Sequence, residues 1–503
     1  MSDIDLACDV CIVGSGAGGA VLGHALTERG LSVVMLEEGG HYTSKDFDMR
    51  EETAYARMYQ DLGSRTTDDL AITLLQGKSV GGSTTVNWCT CFRMPDAVLT
   101  HWRDRFGVRT LTPGVLAPHF EALEAKLHIV QWPEALMNAN NRVLWEGCGA
   151  LGYQRELVRR NVHACQNLGY CGLGCPTDAK QSMNVTLIPE AVQKGMQLFP
   201  ETRVEALEWT GRRVTKVHAH KLLRQAHGAQ LKGPRMTIHP KVTAVCAGAV
   251  GSPLLLLRSG LSAQGQVGKR MFLHPTAVMM AHFDRPIHPH QGAPQSVTSH
   301  HFRERGTGRV GFFMETPPVH PLLAAVTLPG FGEVHQQTMT RLPYSNVLIA
   351  LLADGFLPQE EGGTVALRRG DERPSLKYAL LPEHWDAMRE ACKAMARVQF
   401  AAGAREVRSL HAVPVVMRSV SDIALLDQAP WEPLRVRVVS AHVMGGCAMG
   451  SVVNEQLRYK DLENLFVVDG SVFPTSLGVN PQLSIFGIAR WAADPVREAV
   501  SHP

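Results

Sequence analysis

The sequence predicts an α/β fold, with a Rossmann-like dinucleotide-binding domain joined to a second, α+β domain. Three observations lead there. A short apolar strand, Asp9-Val10-Cys11-Ile12-Val13, runs directly into Gly14-Ser15-Gly16-Ala17-Gly18-Gly19, the glycine spacing of a βαβ nucleotide site. The chain has 503 residues, 45% of them apolar, which is more than one hydrophobic core usually serves. Further along, an apolar run of strand length and a long amphipathic segment supply the elements of a second core.

Taken in order, Gly14 permits the tight turn, Gly16 lets the backbone approach a pyrophosphate, and Gly19 lets the following helix pack on the strand. That helix runs through Leu22, Ala25 and Leu26 to Arg29-Gly30, and its N-terminus is an anion site. Residues 32–36 form a second strand with Glu37 at its tip, the place of a ribose-binding acid. Residues 77–87 (Gly-Lys-Ser-Val-Gly-Gly-Ser-Thr-Thr-Val-Asn) and 247–253 (Ala-Gly-Ala-Val-Gly-Ser-Pro) are rich in small residues. Such segments let backbone reach a large planar ligand that bulky side chains would block. Residues 286–321, full of histidine, proline and glycine, read as long loops over a site. The apolar stretch 321–331, bounded by breakers, reads as a lid touching lipid or a greasy substrate, or else as a buried loop. Residues 347–352 form a buried strand suited to a pocket floor, and residues 383–401 form an amphipathic helix burying Trp385, Met388, Cys392, Met395 and Val398.

Fifty basic against 47 acidic side chains leave a formal charge of +3, which gives no reason to expect nucleic acid; a small, mostly neutral substrate fits better. No stretch reaches the roughly 20 apolar residues of a membrane span, and the N-terminus shows no basic-then-apolar signal. A cytoplasmic location is expected, with export alongside a signal-bearing partner left open. Eleven cysteines spread along the chain suggest reduced thiols. Three of them, Cys165, Cys171 and Cys175, crowd into one glycine-rich loop before Pro176. They are candidate ligands of an iron–sulfur cluster; the alternatives are a structural loop with free thiols and an incomplete zinc site.

Near the C-terminus stand His442, in Ser440-Ala441-His442-Val443-Met444-Gly445-Gly446-Cys447, and Asn480, in Gly478-Val479-Asn480-Pro481-Gln482-Leu483-Ser484, with Asp469-Gly470-Ser471 between them. Together with the opening fingerprint and the two glycine-rich segments, this resembles the glucose-methanol-choline flavoprotein oxidoreductases, nearest to the cholesterol oxidase and long-chain alcohol oxidase branches. The resemblance runs through most of the chain and weakens between about residues 275 and 435.

That resemblance implies FAD rather than NAD. It implies an FAD-binding domain of residues 1–100, 185–275 and 435–503 interleaved with a substrate domain of residues 101–184 and 276–434, the latter built on a mostly antiparallel sheet. Cofactor contacts are expected at Gly14, Gly16, Gly19, Glu37, Gly81, Gly82, Ser83, Asn87, Val204, Asp469, Gly470 and Pro481. Where covalently flavinylated relatives carry a histidine this chain has Val86, so noncovalent FAD is expected. The implied reaction is oxidation of an alcohol to a carbonyl by hydride transfer to flavin N5. His442 would accept the hydroxyl proton, or position the substrate while another group accepts it, and Asn480 would donate to the substrate oxygen. Asn480-Pro481 also has a structural reading, as the cap and first residue of a helix. Glu315 is a candidate for an additional base by its context only, with an ordinary loop carboxylate as the preferred reading. Oxygen, a quinone or a cytochrome would take the electrons, with a small partner subunit or peripheral membrane contact left open. Three other readings remain: a cluster-bearing dehydrogenase subunit, a non-redox lyase that retains FAD, and a flavin-binding structural subunit without catalysis.

Overall fold

The computed structural model describes residues 3–224, 230–371 and 373–501. Its first sheet has seven strands. Ile4–Val13 lies between Val33–Leu36 and Gln230–Val245, parallel to both, and Gln197–Phe199 and Leu465–Val467 add further parallel pairings. The strands Thr202–Thr210 and Arg213–Arg224 extend it as antiparallel ribbons. The central parallel strands are continuously apolar because both faces are covered: Val10, Cys11, Ile12 and residues 33–36 are all buried. Helix Ala17–Thr27 starts straight from the glycine turn and packs on the C-terminal helix Gln482–Ser501.

The second sheet has ten strands around the antiparallel pair Thr276–His282 and Ser345–Leu352, so the strand expected at 347–352 is two residues longer. Side chains alternate across it. Ala277, Met279, Ala281, Leu348, Ala350 and Leu352 face the core that contains helix Pro382–Ala401, while Val278, Met280, Val347, Ile349 and Leu351 form a separate apolar cluster on the other face. That helix buries Met388, Cys392, Met395 and Val398, as its spacing predicts, with Trp385 packed at the edge.

Strand and helix positions redraw the expected domain limits. Arg65–Thr66, Ile72–Leu74 and Val438–Ser440, placed by sequence with the nucleotide domain, join the second sheet, where Val438–Ser440 runs parallel to Ile72–Leu74. Conversely, helices Asp96–Phe106 and Pro113–Lys126 put Trp102, Leu116, Phe120 and Leu123 into the first core, although the reading from sequence begins the substrate domain at 101. Gly487 makes room for Phe120, since a Cβ there would lie 2.3 Å from the ring. The stretch 286–321 is not simply loop. It holds the strands Val297–Ser299 and Phe312–Glu315, both fully buried. Residues 321–331 form helix Pro321–Thr327 and a turn into helix Gly332–Thr340; Val326 is 64% exposed and Phe331 92%, so this is no buried loop. Among the described residues no helix is long and apolar enough to cross a membrane.

Candidate functional site

One continuous cavity of about 770 Å³ runs from the glycine turn of the first sheet to the apolar face of the second. Gly14, Gly16, Glu37 and Val204 line one end; Val278, Met280, Val347, Ile349 and Leu351 line the other, with His442 and Asn480 also on its wall. Its volume is in the range of ligand sites.

At the first end, backbone packs against backbone. Gly14 has φ +100°, and a Cβ there would come within 2.4 Å of the Cys246 carbonyl oxygen. Gly82 has φ +54°, and its Cβ would meet Gly16 Cα at 2.7 Å. The two glycine-rich loops are stitched together through a residue that the fingerprint leaves unspecified: the Gly81 amide donates to Ser15 Oγ (3.0 Å), which donates to Glu37 Oε2 (2.7 Å). Glu37 also accepts from the Ser15 and Gly39 amides at 2.9 and 2.7 Å, and burial raises its pKa against those bonds. Burial also pushes the adjacent Glu38 up, but the Lys78 and Arg203 cations beside it hold it down at about 2. Ser83 Oγ accepts from the Gly77 amide at 2.9 Å, and Asn87 Nδ2 donates to Gln482 Oε1 at 2.6 Å. Asp469 lines the cavity, yet its oxygens are engaged within the protein, accepting from the Ser471 and Gly248 amides (2.8 Å each) and Ser252 Oγ (2.5 Å). It ties the second glycine-rich segment to the Gly470 turn. Gly470 and Pro481 complete this wall, Val204 is buried on it, and Val86 adds no histidine to it. Close-packed glycines, a helix N-terminus at Gly16 and an acid at the second strand's tip fit a flavin dinucleotide.

At the other end, His442 Nε2 and Asn480 Nδ2 stand 3.5 Å apart. Asn480 Nδ2 also donates to Glu315 Oε2 at 3.2 Å, and Gln295 Nε2 donates to the same oxygen at 2.6 Å. Asn480 Oδ1 has no partner, so the asparagine does not cap the helix that follows it. Burial pushes the Glu315 carboxyl up to about 8, more than the Asn480 and Gln295 bonds bring it down.

The histidine has a partner that sequence reasoning missed. His442 Nδ1 lies 3.1 Å from His274 Nδ1, and His274 Nε2 accepts from the Gly478 amide at 3.0 Å. A backbone amide can only donate, and burial, with His442 adding to it, holds His274 neutral, so its single proton sits on Nδ1 and is donated to His442. Burial drops His442 to about 4, so it too is neutral and must carry its proton on Nε2. The network therefore turns two N–H donors, His442 Nε2 and Asn480 Nδ2, toward one place. His274 itself has φ +47°, uncommon outside glycine; its conformation is held by Asp354, which accepts from the Leu273 and His274 amides at 2.7 and 3.0 Å and from the Tyr378 hydroxyl at 2.6 Å. No spacing rule singles out His274. Its one local mark is the proline that follows.

The cysteine loop does not build a metal centre. Among the described residues no group of three His, Cys, Asp or Glu side chains could hold an ion. The three sulfurs face different partners. Cys165 Sγ accepts from the Asn167 amide and Cys175 Sγ from the Lys180 amide, both at 3.4 Å, while Cys171 Sγ accepts from Arg160 at 3.6 Å. Two buried cations, Arg160 and Lys180, stand at the heart of this loop.

Comparison with known proteins bears on the fold and the family. The N- and C-terminal models of the GMC oxidoreductase family match residues 55–276 and 358–489, and an NAD(P)-binding Rossmann-like model matches residues 12–61. A GMC-type oxidoreductase of Mycobacterium tuberculosis is 32% identical over 97% of this chain and 75% of its own. The long-chain-alcohol oxidase FAO4A of Arabidopsis thaliana is 27% identical over 96% of this chain and 67% of its own. Pyridoxine 4-oxidase from Mesorbium loti shares the fold, with a TM-score of 0.73 at 20% identity, over 98% of this chain and 99% of that one. With the two family models together matching more than half of the chain and a relative 32% identical over 97% of it, this chain belongs to the GMC oxidoreductase family.

Proposed function

We propose that the protein oxidises the CH–OH group of an apolar alcohol to a carbonyl, with noncovalently held FAD as its cofactor. One observation carries the reading: two N–H donors, on His442 and Asn480, converge at the head of a cleft walled by Val278, Met280, Val347, Ile349 and Leu351. FAD, when bound, supplies the acceptor for the hydride leaving carbon. Gly14, Gly16, Gly19, Glu37 and Val204 would hold its nucleotide half, and Gly81, Gly82, Ser83, Asn87, Asp469, Gly470 and Pro481 its other half. Val86, where a linking histidine would stand, supports noncovalent binding.

The remaining work falls to side chains. A substrate oxygen seated between His442 Nε2 and Asn480 Nδ2 accepts from both, and these bonds strengthen as negative charge gathers on it. In the tautomer that His274 imposes, His442 Nε2 already holds a proton and does not accept the hydroxyl's. Of the two roles open to this histidine, positioning is therefore preferred. Glu315 is assigned as the proton's destination: it contacts Asn480, its Oε1 has no partner, and no other carboxylate contacts either donor among the described residues. The apolar walls favour an aliphatic or alicyclic alcohol over a sugar, and the Arabidopsis relative's name, a long-chain-alcohol oxidase, supports the same choice. Oxygen or a quinone is the proposed electron acceptor.

The test is anaerobic mixing of the FAD-loaded protein with 1-dodecanol, cyclohexanol and glucose, following loss of flavin absorbance. Bleaching by the first two is expected, and readmitting oxygen or adding a quinone should restore the colour. Bleaching by none would overturn the oxidation; bleaching by glucose alone would overturn the substrate class. Acid precipitation should leave the flavin in the supernatant, and a yellow pellet would mean a covalent link.

A further inference from the structure

Behind the loop that carries Gly81 and Asn87, two cations lie out of water without a carboxylate. Arg160, on strand Arg159–Asn161, is fully buried, and Lys180 nearly so. Burying a cation is strongly unfavourable unless negative charge and hydrogen bonds offset it. Lys180 is well served by carbonyls, donating to Thr85 at 2.5 Å, Cys171 at 2.7 Å and Asn87 at 3.0 Å. Arg160 is not. Its Nη2 donates to the Trp88 carbonyl at 3.2 Å and to Cys171 Sγ at 3.6 Å, its Cζ lies 5.0 Å from the centroid of the Trp132 ring, and its Nε and Nη1 have no partner. Among the described residues neither cation forms an ion pair with a carboxylate. What stands between them is sulfur.

Cys89 and Cys171 come together here from distant parts of the chain. Cys171 packs against the small apolar cluster that contains Cys89, and each thiol shifts the ionisation of the other. Cys89 is fully buried against Trp132, Val162 and Ala293, whereas Cys171 packs at the edge of that cluster and keeps contact with solvent. The pair is thus asymmetric, Cys89 being fully buried and Cys171 only partly so. The ionisable groups facing Cys171 are Cys89, Arg160 and Lys180, with Cys165 and Cys175 further off. The neighbouring Cys89 thiol and the two cations hold the Cys171 thiol down at about 5, against the opposing effect of burial, and burial with the Cys171 neighbour pushes Cys89 well up.

We propose that Cys171 is a peroxide-reactive thiolate and that Cys89 resolves its oxidised form to an intramolecular disulfide. The thiolate attacks one oxygen of a hydroperoxide; the O–O bond breaks, an S–O bond forms, and the other oxygen leaves as an alcohol, or as water from hydrogen peroxide, after taking a proton. The Cys89 thiol then attacks the Cys171 sulfur; the S–S bond forms, the S–O bond breaks, and the hydroxyl leaves as water with the Cys89 proton. In sum, two thiols lose two electrons and one hydroperoxide gains them. Loop thiols exposed near a cationic site are the ones that oxidise selectively.

The experiment uses the FAD-loaded full chain. First, iodoacetamide labelling of Cys171 is followed by peptide mass spectrometry from pH 6 to pH 8. The expected rate changes by less than about twofold, whereas an ordinary thiol of pKa about 8.5 speeds up roughly 80-fold over that range. Second, a few equivalents of hydrogen peroxide followed by blocking of free thiols should give a Cys89–Cys171 linked peptide. In Cys89→Ser, Cys171 should stop at a sulfenic acid that dimedone captures. A labelling rate that climbs like an ordinary thiol's, a disulfide joining other cysteines, or oxidation that spares Cys171 would each overturn the proposal. The labelling profile needs only the unaltered protein, so it decides the matter even if a cysteine variant does not fold.

Discussion

The molecule buries two polar clusters and solves the cost of each in opposite ways. Around His442 every titratable group is kept neutral near pH 7: both imidazoles lie below their usual range, and Glu315 is pushed up to about 8. Around Cys171, Arg160 and Lys180 lie buried without a carboxylate, burial pulls Lys180 down, and the proposed Cys171 thiolate supplies the compensation. The difference follows from what each must hold. Neutral donors attract a substrate oxygen most strongly at the moment it gains charge, whereas permanent cations would bind anions at rest. A structural clamp has no such constraint, and Lys180 uses its charge to pin three carbonyls, two of them on the loop that reaches the cleft.

The widest separation between the clusters should appear in activity. His442→Ala and Asn480→Ala each remove one of the two converging donors. Each is expected to slow alcohol-driven flavin reduction by about 10²- to 10³-fold, with circular dichroism and thermal midpoint nearly unchanged; stopped-flow absorbance measures the first and a melting scan the second. Lys180→Met should do the reverse. It leaves three carbonyls and a thiolate without their cation, and a loss of about 3 kcal/mol in unfolding free energy is expected from urea denaturation. If Lys180→Met proved as stable as the parent, the clamp would not exist.

Next in size is the pH response. Glu315 is ionised, and able to take a proton, only above its raised pKa of about 8. Flavin reduction should therefore rise by about tenfold between pH 7 and pH 9 and level off beyond, following the ionised fraction of a single acid. His442 is neutral throughout that range, its pKa being about 4, and contributes nothing to the slope. Glu315→Gln should be slow and flat across the same interval. A slope that survives this substitution would assign the titration to another group.

How much of this could be read from the amino acids varied with distance along the chain. The strand–glycine–helix opening was plain because each of its constraints is local, and helix Pro382–Ala401 was equally plain from its 3.6-residue period. His442 and Asn480 could be singled out by motif, but their polarity could not. It depends on His274 and Gly478, and the Gly478 amide reaches His274 across 204 positions of sequence. The strands Val297–Ser299 and Phe312–Glu315 were hidden among histidine, proline and glycine, a composition that describes loops well and short buried strands poorly. The cysteine loop misled for a related reason. Three nearby thiols suggested a common ion, but the thiol that bears on Cys171 is Cys89, 82 positions earlier, with Arg160 and Lys180 beside it.

The smallest expected effect sharpens the comparison most, because it separates a cation that holds the fold from one that tunes a thiol. Arg160 keeps Nε and Nη1 without partners, so its burial is only partly compensated. Replacing such a cation with an apolar side chain of similar reach is often neutral or stabilising. Arg160→Met is accordingly expected to change unfolding free energy by no more than about 1 kcal/mol, in contrast to Lys180→Met. Its Sγ-facing nitrogen is nevertheless one of the two charges that keep Cys171 ionised. The variant should therefore label with iodoacetamide more slowly at pH 6 and recover at higher pH, a shift that thermal melting would not register. A variant that unfolds like Lys180→Met, or labels like the parent at pH 6, would show that the two cations do not divide their work this way.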